Sequence, residues 1–182
     1  MFLCIRPDEV GYVQSSAPTG AGECDALPAA PEDAPLSDEL ALVVAGAKRR
    51  AVRDGDRQVD SAHLLHSLLE ADPDVRAAFP DPAQVARLLG YLVQRSIGYG
   101  LRWQGSVEDS GAVPLVRGGT PGWSPVAAAA MAAGVERAVR RGDERARGVD
   151  VLAALATDVE SRAVEVLGRA GVDVDRLRRR LN

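Results

Sequence analysis

Aromatic residues are scarce in this chain of 182 residues. Phenylalanine, tryptophan and tyrosine make up 4% of it, whereas apolar residues as a whole make up 46%. A chain of this length buries well over half of the surface of its unfolded form, so it can build a core without disulfides or metals. Leucine, valine and alanine must fill that core. The wealth of alanine, leucine, arginine and glutamate, with few β-branched runs, favours helices over sheet.

Lysine and cysteine are also rare. The single lysine, Lys48, follows Ala-Gly-Ala inside a predicted helix, so the sequence lacks the Gly-Lys-Ser/Thr run with which a P-loop binds nucleotide phosphates. Cys4 and Cys24 have no second cysteine or histidine close by in sequence with which to form a metal cluster. A Gly-x-Ser-x-Gly nucleophile turn is missing as well. These absences favour a protein without catalytic activity, cofactor or metal.

The chain lacks an excess of positive charge and a long apolar run. Its net charge is −4 and its pI is near 5.3, whereas a nucleic-acid partner requires basic residues gathered on one face. The longest uncharged run, Gly118 to Val135, contains several glycines and two prolines and is poor material for a membrane span. The apolar segment Met1 to Ile5 is followed directly by Arg6, so it is too short for the core of a signal peptide. We therefore expect a cytoplasmic protein that binds neither nucleic acid nor membrane.

Helical periodicity begins after a polar N-terminal stretch. Residues 14–35 are serine, alanine, proline, glycine and acids, which cannot offset the entropy lost on ordering, so we predict a flexible tail over residues 1–35. From Leu36 onwards, apolar residues recur at the spacing of one helical stripe: Leu40, Val43, Val44, Ala47 and Ala51. Ser37 is a fitting N-cap for this helix, and Gly55 is a fitting end.

The chain repeats itself at an offset of 87 residues, the distance from Gly55 to Gly142. Both glycines precede an aspartate and follow an Ala-Val-Arg triplet by one residue. At the same offset Ser37 falls on Ser124, and further pairs match without a gap: Ala41 with Ala128, Arg50 with Arg137, Leu65 with Leu152 and Leu68 with Leu155. Pro125 suits the first helical position of the second copy.

Each copy contains four predicted helices with one apolar face apiece, and such units pack together to close a common core. We therefore predict an all-α domain of about eight helices in which two copies are related by a pseudo-two-fold axis. Repeat one spans residues 36–96, a connector spans 97–122, and repeat two spans 123–182. The glycine-rich connector has lost the helical period and includes a candidate extended stretch at residues 113–116.

The two copies resemble the double Clp-N motif at the head of the Clp unfoldases. The resemblance covers about four-fifths of the chain. It rests on these residues in order: Leu36-Ser37, Ala47, Ala51, Gly55 and Ser61-Ala62-His63-Leu64-Leu65 in copy one, then Trp123-Ser124, Ala138, Gly142, Leu152, Val166-Leu167 and Gly171-Val172-Asp173 in copy two. It implies a non-catalytic module that binds adaptors, substrate segments or small cyclic peptides. Without an ATPase in this chain, such a module acts in trans as adaptor, regulator or decoy for Clp components, their substrates or ligands.

The resemblance also implies where a ligand binds, at the entrances to the two first helices. The implied peptide-binding residues are Leu36, Ser37, Trp123 and Ser124, although the serines also serve as caps, and Trp123 is equally suited to a buried hydrophobic staple. Relatives that bind phosphoarginine use a glutamate at the start of each second helix. Here those positions hold Ala62 and Val149, which offer a guanidinium no carboxylate.

Two other functions remain open from the sequence. His63 and His66 lie three residues apart on one predicted helix, a spacing that suits a small hydrolase or metal-dependent enzyme, although a third ligand is not evident. His63 also stands where the Clp-N motif has histidine near a helix start, which favours a structural hydrogen-bonding role. The remaining hypothesis is a structural or sensor protein that has lost the binding role of its relatives.

Overall fold

The computed structural model describes residues 35–96, residue 108 and residues 122–182. This part of the chain contains eight helices and two short strands, in this order: α1 (Asp38–Asp54), β1 (Gln58–Val59), α2 (Ser61–Ala71), α3 (Pro73–Ala77), α4 (Pro82–Ser96), β2 (Gly122–Trp123), α5 (Pro125–Arg141), α6 (Gly148–Leu155), α7 (Arg162–Arg169) and α8 (Val174–Leu181). The predicted all-α class and the eight helices are confirmed. Most of the predicted tail and connector, with Cys4 and Cys24, lies outside the described residues. No helix within them is long and apolar enough to cross a bilayer.

The first helix of each copy begins and ends in the same way. The Ser37 hydroxyl accepts from the Leu40 amide at 3.1 Å, and the Ser124 hydroxyl accepts from the Ala127 amide at 3.0 Å, so both serines are N-caps. Gly55 and Gly142 end these helices with φ of 71° and 79°, a left-handed conformation that favours glycine. The 87-residue offset carries α1 onto α5 from its first residue to its last.

The two copies exchange short extended segments. Trp123 in β2 pairs in parallel with Val59 in β1, and the Ser124 amide donates to the Val59 carbonyl at 2.8 Å. Leu36 forms the matching bridge to Ala146, and the Ser37 amide donates to the Ala146 carbonyl at 2.9 Å. Because the 87-residue offset carries the first pair onto the second, the exchange is reciprocal. It places the two helix entrances at equivalent positions of one pseudo-two-fold fold.

Helix α2 lies at the centre of the domain. It packs against α1, α3 and α4 of its own copy and against α5, α6 and α7 of the other. Its four leucines are fully buried: Leu64, Leu65, Leu68 and Leu69. Since burying one leucine side chain contributes about 1.5–3 kcal/mol, this helix carries a large share of the apolar stabilisation of both copies. The core is therefore continuous across the repeat rather than divided into two.

A small residue allows α5 and α6 to approach each other closely. A Cβ atom added at Gly134 meets Val151 Cγ2 at 2.9 Å and the Val151 backbone nitrogen at 3.2 Å. The backbone neighbour cannot swing aside as a flexible side chain does. Gly90, on the exposed side of α4, has nothing within 4 Å of the same added atom and serves as a matched control.

We expect Gly134→Ala to destabilise the domain and Gly90→Ala to stabilise it slightly. Overpacking lowers the free energy of unfolding by about 1–3 kcal/mol, whereas the better helix propensity of alanine raises it by up to about 1 kcal/mol. The net loss for Gly134→Ala is thus about 1 kcal/mol, whereas Gly90→Ala gains a few tenths or more. Urea unfolding followed by circular dichroism measures both. Equal stability of the two variants would contradict the close contact of α5 with α6.

Candidate functional site

The predicted peptide-binding residues occupy the two equivalent helix entrances, but the entrances differ in accessibility. Leu36, Ser37 and Trp123 are half-buried, whereas Ser124 is fully buried. Leu36 and Trp123 pack against the edge of the core, and the buried Trp123 Nε1 has no hydrogen-bond partner among the described residues. Beyond its cap bond, the Ser124 hydroxyl donates to Glu108 Oε2 at 2.9 Å. The structure thus brings the four residues to symmetric places, and their role in binding stays a prediction.

A single carboxylate from the connector fills a pocket between the copies. Glu108 is 6% exposed and lies where α2, α5 and α7 begin. Its oxygens accept from the Ser61 amide at 2.7 Å, from the Arg162 amide at 3.0 Å, and from the hydroxyls of Ser61 and Ser124. Amide groups at helix starts lack intrahelical acceptors and favour negative charge. Glu108 therefore satisfies donors from both copies at once.

No local pattern in the sequence singles out Glu108. The partners of its carboxylate lie 16, 47 and 54 residues away along the chain, and it is one acid in a glycine-rich connector. The backbone carbonyl of the same residue accepts from the Gln58 side chain at 3.0 Å. The connector is thus attached to β1 of the first copy as well as to three helix starts.

A second buried carboxylate, Asp60, binds cations from both copies. Asp60 caps α2 by accepting from the His63 amide at 2.9 Å. Its other oxygen lies 2.5 Å from Arg95 Nη2 of α4 and 2.5 Å from Arg162 Nη1 of α7. Burial by itself raises the pKa of the Asp60 carboxyl, but the hydrogen bond of His63 and the charges of His63, Arg95 and Arg162 hold that pKa well below its usual range. Asp60 is therefore an ion-pair centre that joins the repeats.

His63 lies inside this network and is only 1% exposed. Its Nδ1 is 2.8 Å from Asp60 Oδ1 and 3.1 Å from the Asp60 amide nitrogen, and its Nε2 is 3.2 Å from Asp56 Oδ2. Burial by itself lowers the pKa of His63, yet the hydrogen bonds to Asp56 and Asp60 raise it above 6.5. The ring thus serves as a helix cap when neutral and as an ion-pair partner when protonated.

Among the described residues, Asp56, Asp60 and His63 are the group whose oxygen and nitrogen atoms lie close enough, within 4.8 Å of one another, to ligate one metal ion. Arg95 already lies between them, since its Nη2 is 2.9 Å from Asp56 Oδ2 and 2.5 Å from Asp60 Oδ2. A guanidinium in contact with both carboxylates neutralises the charge that would attract a metal. The arrangement therefore fits a structural ion-pair network better than a metal centre.

His66 lies in different surroundings from His63. Its Nε2 is 3.3 Å from Glu70 Oε1, and Arg50 stands nearby. Burial and then the positive charge of Arg50 lower its pKa to about 4, so the ring is neutral near pH 7. The two rings therefore pair with different carboxylates, His63 with Asp56 and Asp60 and His66 with Glu70. Asp54 lies 3.8 Å from His63 Nε2, and its charge also acts on His66.

The second copy reverses the polarity of the corresponding network. Asp150 stands where the first copy has His63, and Arg141 stands where it has Asp54. Asp150 is 1% exposed and lies 2.5 Å from Arg141 Nη1 and 2.9 Å from Arg141 Nη2. Burial by itself raises the pKa of Asp150, but these bonds lower it. In the first copy, His63 Nε2 lies 3.8 Å from Asp54 Oδ2. The acid and the base therefore exchange positions between the two copies.

The positions at which phosphoarginine-binding relatives carry glutamate hold apolar side chains close to the core. Ala62 is fully buried, and Val149 is half-buried against the core. Neither position presents a carboxylate to a ligand. The carboxylate nearest in sequence to Ala62 belongs to Asp60, which is already paired with arginines.

Solved structures with this fold include N-terminal domains of Clp-type chaperones. The domain is similar to the crystal structure of the N-terminal domain of the caseinolytic protease associated chaperone ClpD from Arabidopsis thaliana, with a TM-score of 0.60 and 17% identity over 80% of this chain and 91% of that one. The N-terminal domain of Hsp104 from Candida albicans matches with a TM-score of 0.56 and 12% identity over 81% and 89% of the two chains. A structure from a study of a malarial protein secretion system matches with a TM-score of 0.58 and 14% identity over 80% and 91%.

The chain therefore has the fold of the Clp N-terminal domain, as the sequence motifs predict. No protein-family model matches the sequence, and no curated protein matches it either. At such low identities the likeness establishes the fold and leaves the ligand to be inferred from the residues of this chain.

We expect Glu108→Ala to destabilise the domain by about 3 kcal/mol, because it leaves buried amides and hydroxyls without an acceptor. Glu144→Ala removes the same charge from an exposed loop and should change the free energy of unfolding by less than about 0.5 kcal/mol. Urea unfolding of the two variants and the wild type gives the comparison. A loss below about 0.5 kcal/mol for Glu108→Ala would show that its carboxylate does not hold the helix starts together.

The raised pKa of His63 predicts a stability that falls as the pH rises. A group with a higher pKa in the folded state stabilises fully below its unfolded pKa of about 6.5, and this contribution disappears as the pH passes the folded pKa. The loss amounts to about 1.4 kcal/mol for each pH unit that separates the two pKa values. Urea unfolding between pH 6.5 and 9 should show this fall in the wild type and not in His63→Gln.

His66→Gln is the control for this measurement. Since the pKa of His66 is lowered to about 4, its neutral form is the one that folding favours, and its contribution changes only between about pH 4 and 6.5. The variant should therefore retain the fall in stability above pH 6.5. If His63→Gln also retained it, a group other than His63 would be responsible.

Proposed function

We propose, from the Clp N-terminal fold, that this protein is a non-catalytic module that binds a protein or peptide. In this proposal it acts in trans in the cytoplasm, as an adaptor, regulator or decoy for a Clp protease, its substrates or its ligands. The observation that carries the proposal is the reciprocal exchange of Leu36 with Ala146 and of Trp123 with Val59, which sets two helix entrances at equivalent positions. A duplicated entrance suits recognition of a segment that contacts both copies.

The side chains at these entrances support peptide binding. Leu36 and Trp123 are apolar and half-buried, so each retains surface that a partner can cover. Tryptophan is enriched among residues that contribute most to binding, because a large rigid side chain loses little entropy on association. Ser37 is half-buried as well, whereas Ser124 is fully buried and bound to Glu108, so the first entrance offers the more accessible hydroxyl.

The alternative of a hydrolase or metal-dependent enzyme that uses His63 and His66 has less support. A general base must reach the proton that it removes, but His63 is 1% exposed and both of its ring nitrogens contact carboxylates. His66 is 3% exposed and lies against Glu70 and Arg50 instead. Two buried rings with separate partners do not form a catalytic pair.

Affinity capture from native lysate with the full-length protein as bait tests the proposal. We expect recovery of a Clp ATPase, or of its substrates or adaptors. We also expect the double variant Leu36→Ala, Trp123→Ala to recover about tenfold less, since removal of two apolar binding residues costs upwards of about 1.4 kcal/mol. Val159→Ala is the control, because Val159 is a 66% exposed apolar residue outside the entrances.

The double variant must first be shown to be folded by circular dichroism. Recovery of no Clp component by the wild type would contradict the proposed partners. Equal recovery by the wild type and the folded double variant would contradict binding at the entrances.

A further inference from the structure

A groove between α1 and α2, on the first copy, is separate from the helix entrances. Its volume is about 480 Å³. Three arginines of α1 line it, Arg49, Arg50 and Arg53, together with Ser67 and Glu70 of α2. The charged groups in the lining are thus three cations and one anion, so the groove has a positive excess.

A buried hydroxyl without a partner lies at the base of this groove. Ser67 is 2% exposed, and its Oγ has no hydrogen-bond partner among the described residues. Buried polar atoms without a partner are rare in native proteins, and each one requires an explanation such as an ordered water or a ligand. The Nε atom of Arg50 is a second buried donor in the lining for which the described part of the chain provides no hydrogen-bond partner.

The absence of a side chain at Gly46 leaves room beside these donors. A Cβ atom built at Gly46 would lie 3.1 Å from Ser67 Oγ and 3.8 Å from the Nη2 atom of Arg49. The Ser67 hydroxyl and the Arg49 guanidinium therefore both lie next to the position that a side chain at residue 46 would occupy, and glycine leaves this position empty. Arg49 is exposed, so its side chain can turn to admit a group at that point.

The groove already binds one carboxylate of the chain itself. Arg50, whose side chain is 13% exposed, pairs with the half-exposed Glu70 through its Nη2 atom. Next to them, the positive charge of Arg50 contributes to the low pKa of His66, second to burial. Arg53 is 61% exposed and contacts its neighbour Asp54 at 3.2 Å, a weak pair in water. Arg49 and Arg53 thus present guanidinium groups to solvent beside a carboxylate that Arg50 holds.

The equivalent groove of the second copy keeps a positive lining but lacks the buried hydroxyl. At the 87-residue offset, Arg50 and Arg53 become Arg137 and Arg140, which line that groove together with Arg178, whereas Arg49 becomes Glu136 and Ser67 becomes Ala154. Among the described residues, the combination of Arg49 with a buried hydroxyl therefore belongs to the first copy. The fold does not require the hydroxyl, since the second copy forms the same pair of helices without it.

We propose that the groove between α1 and α2 binds an acidic peptide segment, whose carboxylates pair with Arg49 and Arg53 and accept from the Ser67 hydroxyl. Arginine pairs with carboxylates in a bidentate geometry, which selects carboxylates over other polar groups. Leu42, 62% exposed in the same lining, offers an apolar contact to a neighbouring side chain of that segment. This inference is independent of the proposed function, because none of these residues belongs to the entrances.

Fluorescence anisotropy of the full-length protein with a labelled Glu-Glu-Leu-Glu-Glu-Leu peptide tests the proposal. A matched Gln-Gln-Leu-Gln-Gln-Leu peptide separates carboxylate recognition from apolar contact. We expect the acidic peptide to bind and the glutamine peptide to bind at least about tenfold more weakly. Raising the ionic strength from about 0.05 to 0.5 M should weaken binding of the acidic peptide, since salt screens the charges of the partly exposed arginines.

Two pairs of substitutions distinguish the groove from the overall charge of the protein. The double variant Arg49→Gln, Arg53→Gln should bind the acidic peptide with about tenfold lower affinity. Arg169→Gln with Arg179→Gln removes the same charge from exposed positions outside this groove and outside its counterpart in the second copy, and it should change affinity less than about twofold. Arg50 is left intact, because its bond to Glu70 holds α1 to α2.

Ser67→Ala adds a test of the buried hydroxyl. We expect affinity to fall several-fold while the unfolding midpoint stays the same or rises, since the hydroxyl has no partner to lose within residues 35–96, 108 and 122–182. Absence of binding by the wild type, an equal loss in both arginine pairs, or unchanged affinity in Ser67→Ala would overturn the proposal. None of these results bears on Leu36 and Trp123, so capture of Clp components remains a separate test.

Discussion

The buried carboxylate of Asp60 is the constraint on which the joining of the two copies depends. Its oxygens are bound by His63 of its own helix, by Arg95 of α4 and by Arg162 of the second copy. A charge buried in this way is tolerated only when it is fully paired, and removal of one partner leaves the others uncompensated. The ion pair between Arg162 and Asp60 therefore holds the start of α7 against the start of α2. Together with the leucines of α2, it makes the repeat one cooperative body rather than two units in sequence.

Glu108 provides the acceptor for helix starts that the pseudo-two-fold packing brings together. Pseudo-two-fold packing brings several helix starts together, and their amide groups have no acceptor within their own helices. A carboxylate supplied by the connector satisfies donors of Ser61, Ser124 and Arg162 in one place. The connector thereby contributes to the interior of the domain instead of merely linking its halves. Ser124 is fully buried and donates to Glu108, whereas Ser37 is half-buried, so the two entrances have similar backbones but offer a ligand different groups.

The two copies share a backbone fold but carry different charged and polar side chains at several equivalent positions. Asp150 is the counterpart of His63, and Arg141 is the counterpart of Asp54, so the Arg141–Asp150 ion pair has the reverse polarity of the contact between Asp54 and protonated His63. Arg49 and Ser67, by contrast, have Glu136 and Ala154 as counterparts, so the second groove lacks the buried hydroxyl although Arg137, Arg140 and Arg178 line it. A duplicated fold thus retains the interactions that close its core while its surfaces acquire separate recognition properties.

The amino-acid sequence by itself determined the helices, their caps and the repeat, because these depend on residues a few positions apart. Ser37, Ser124, Gly55 and Gly142 predicted helix ends that the structure confirms, and the 87-residue offset predicted the match of α1 with α5. Only the tertiary structure decided which segments the copies exchange, since strands of two residues carry no periodic signal. It also decided the roles of Glu108 and Arg162, whose partners lie 16 to 102 residues away. Contacts at such separations are set by the packing of helices against one another, and no local pattern records them.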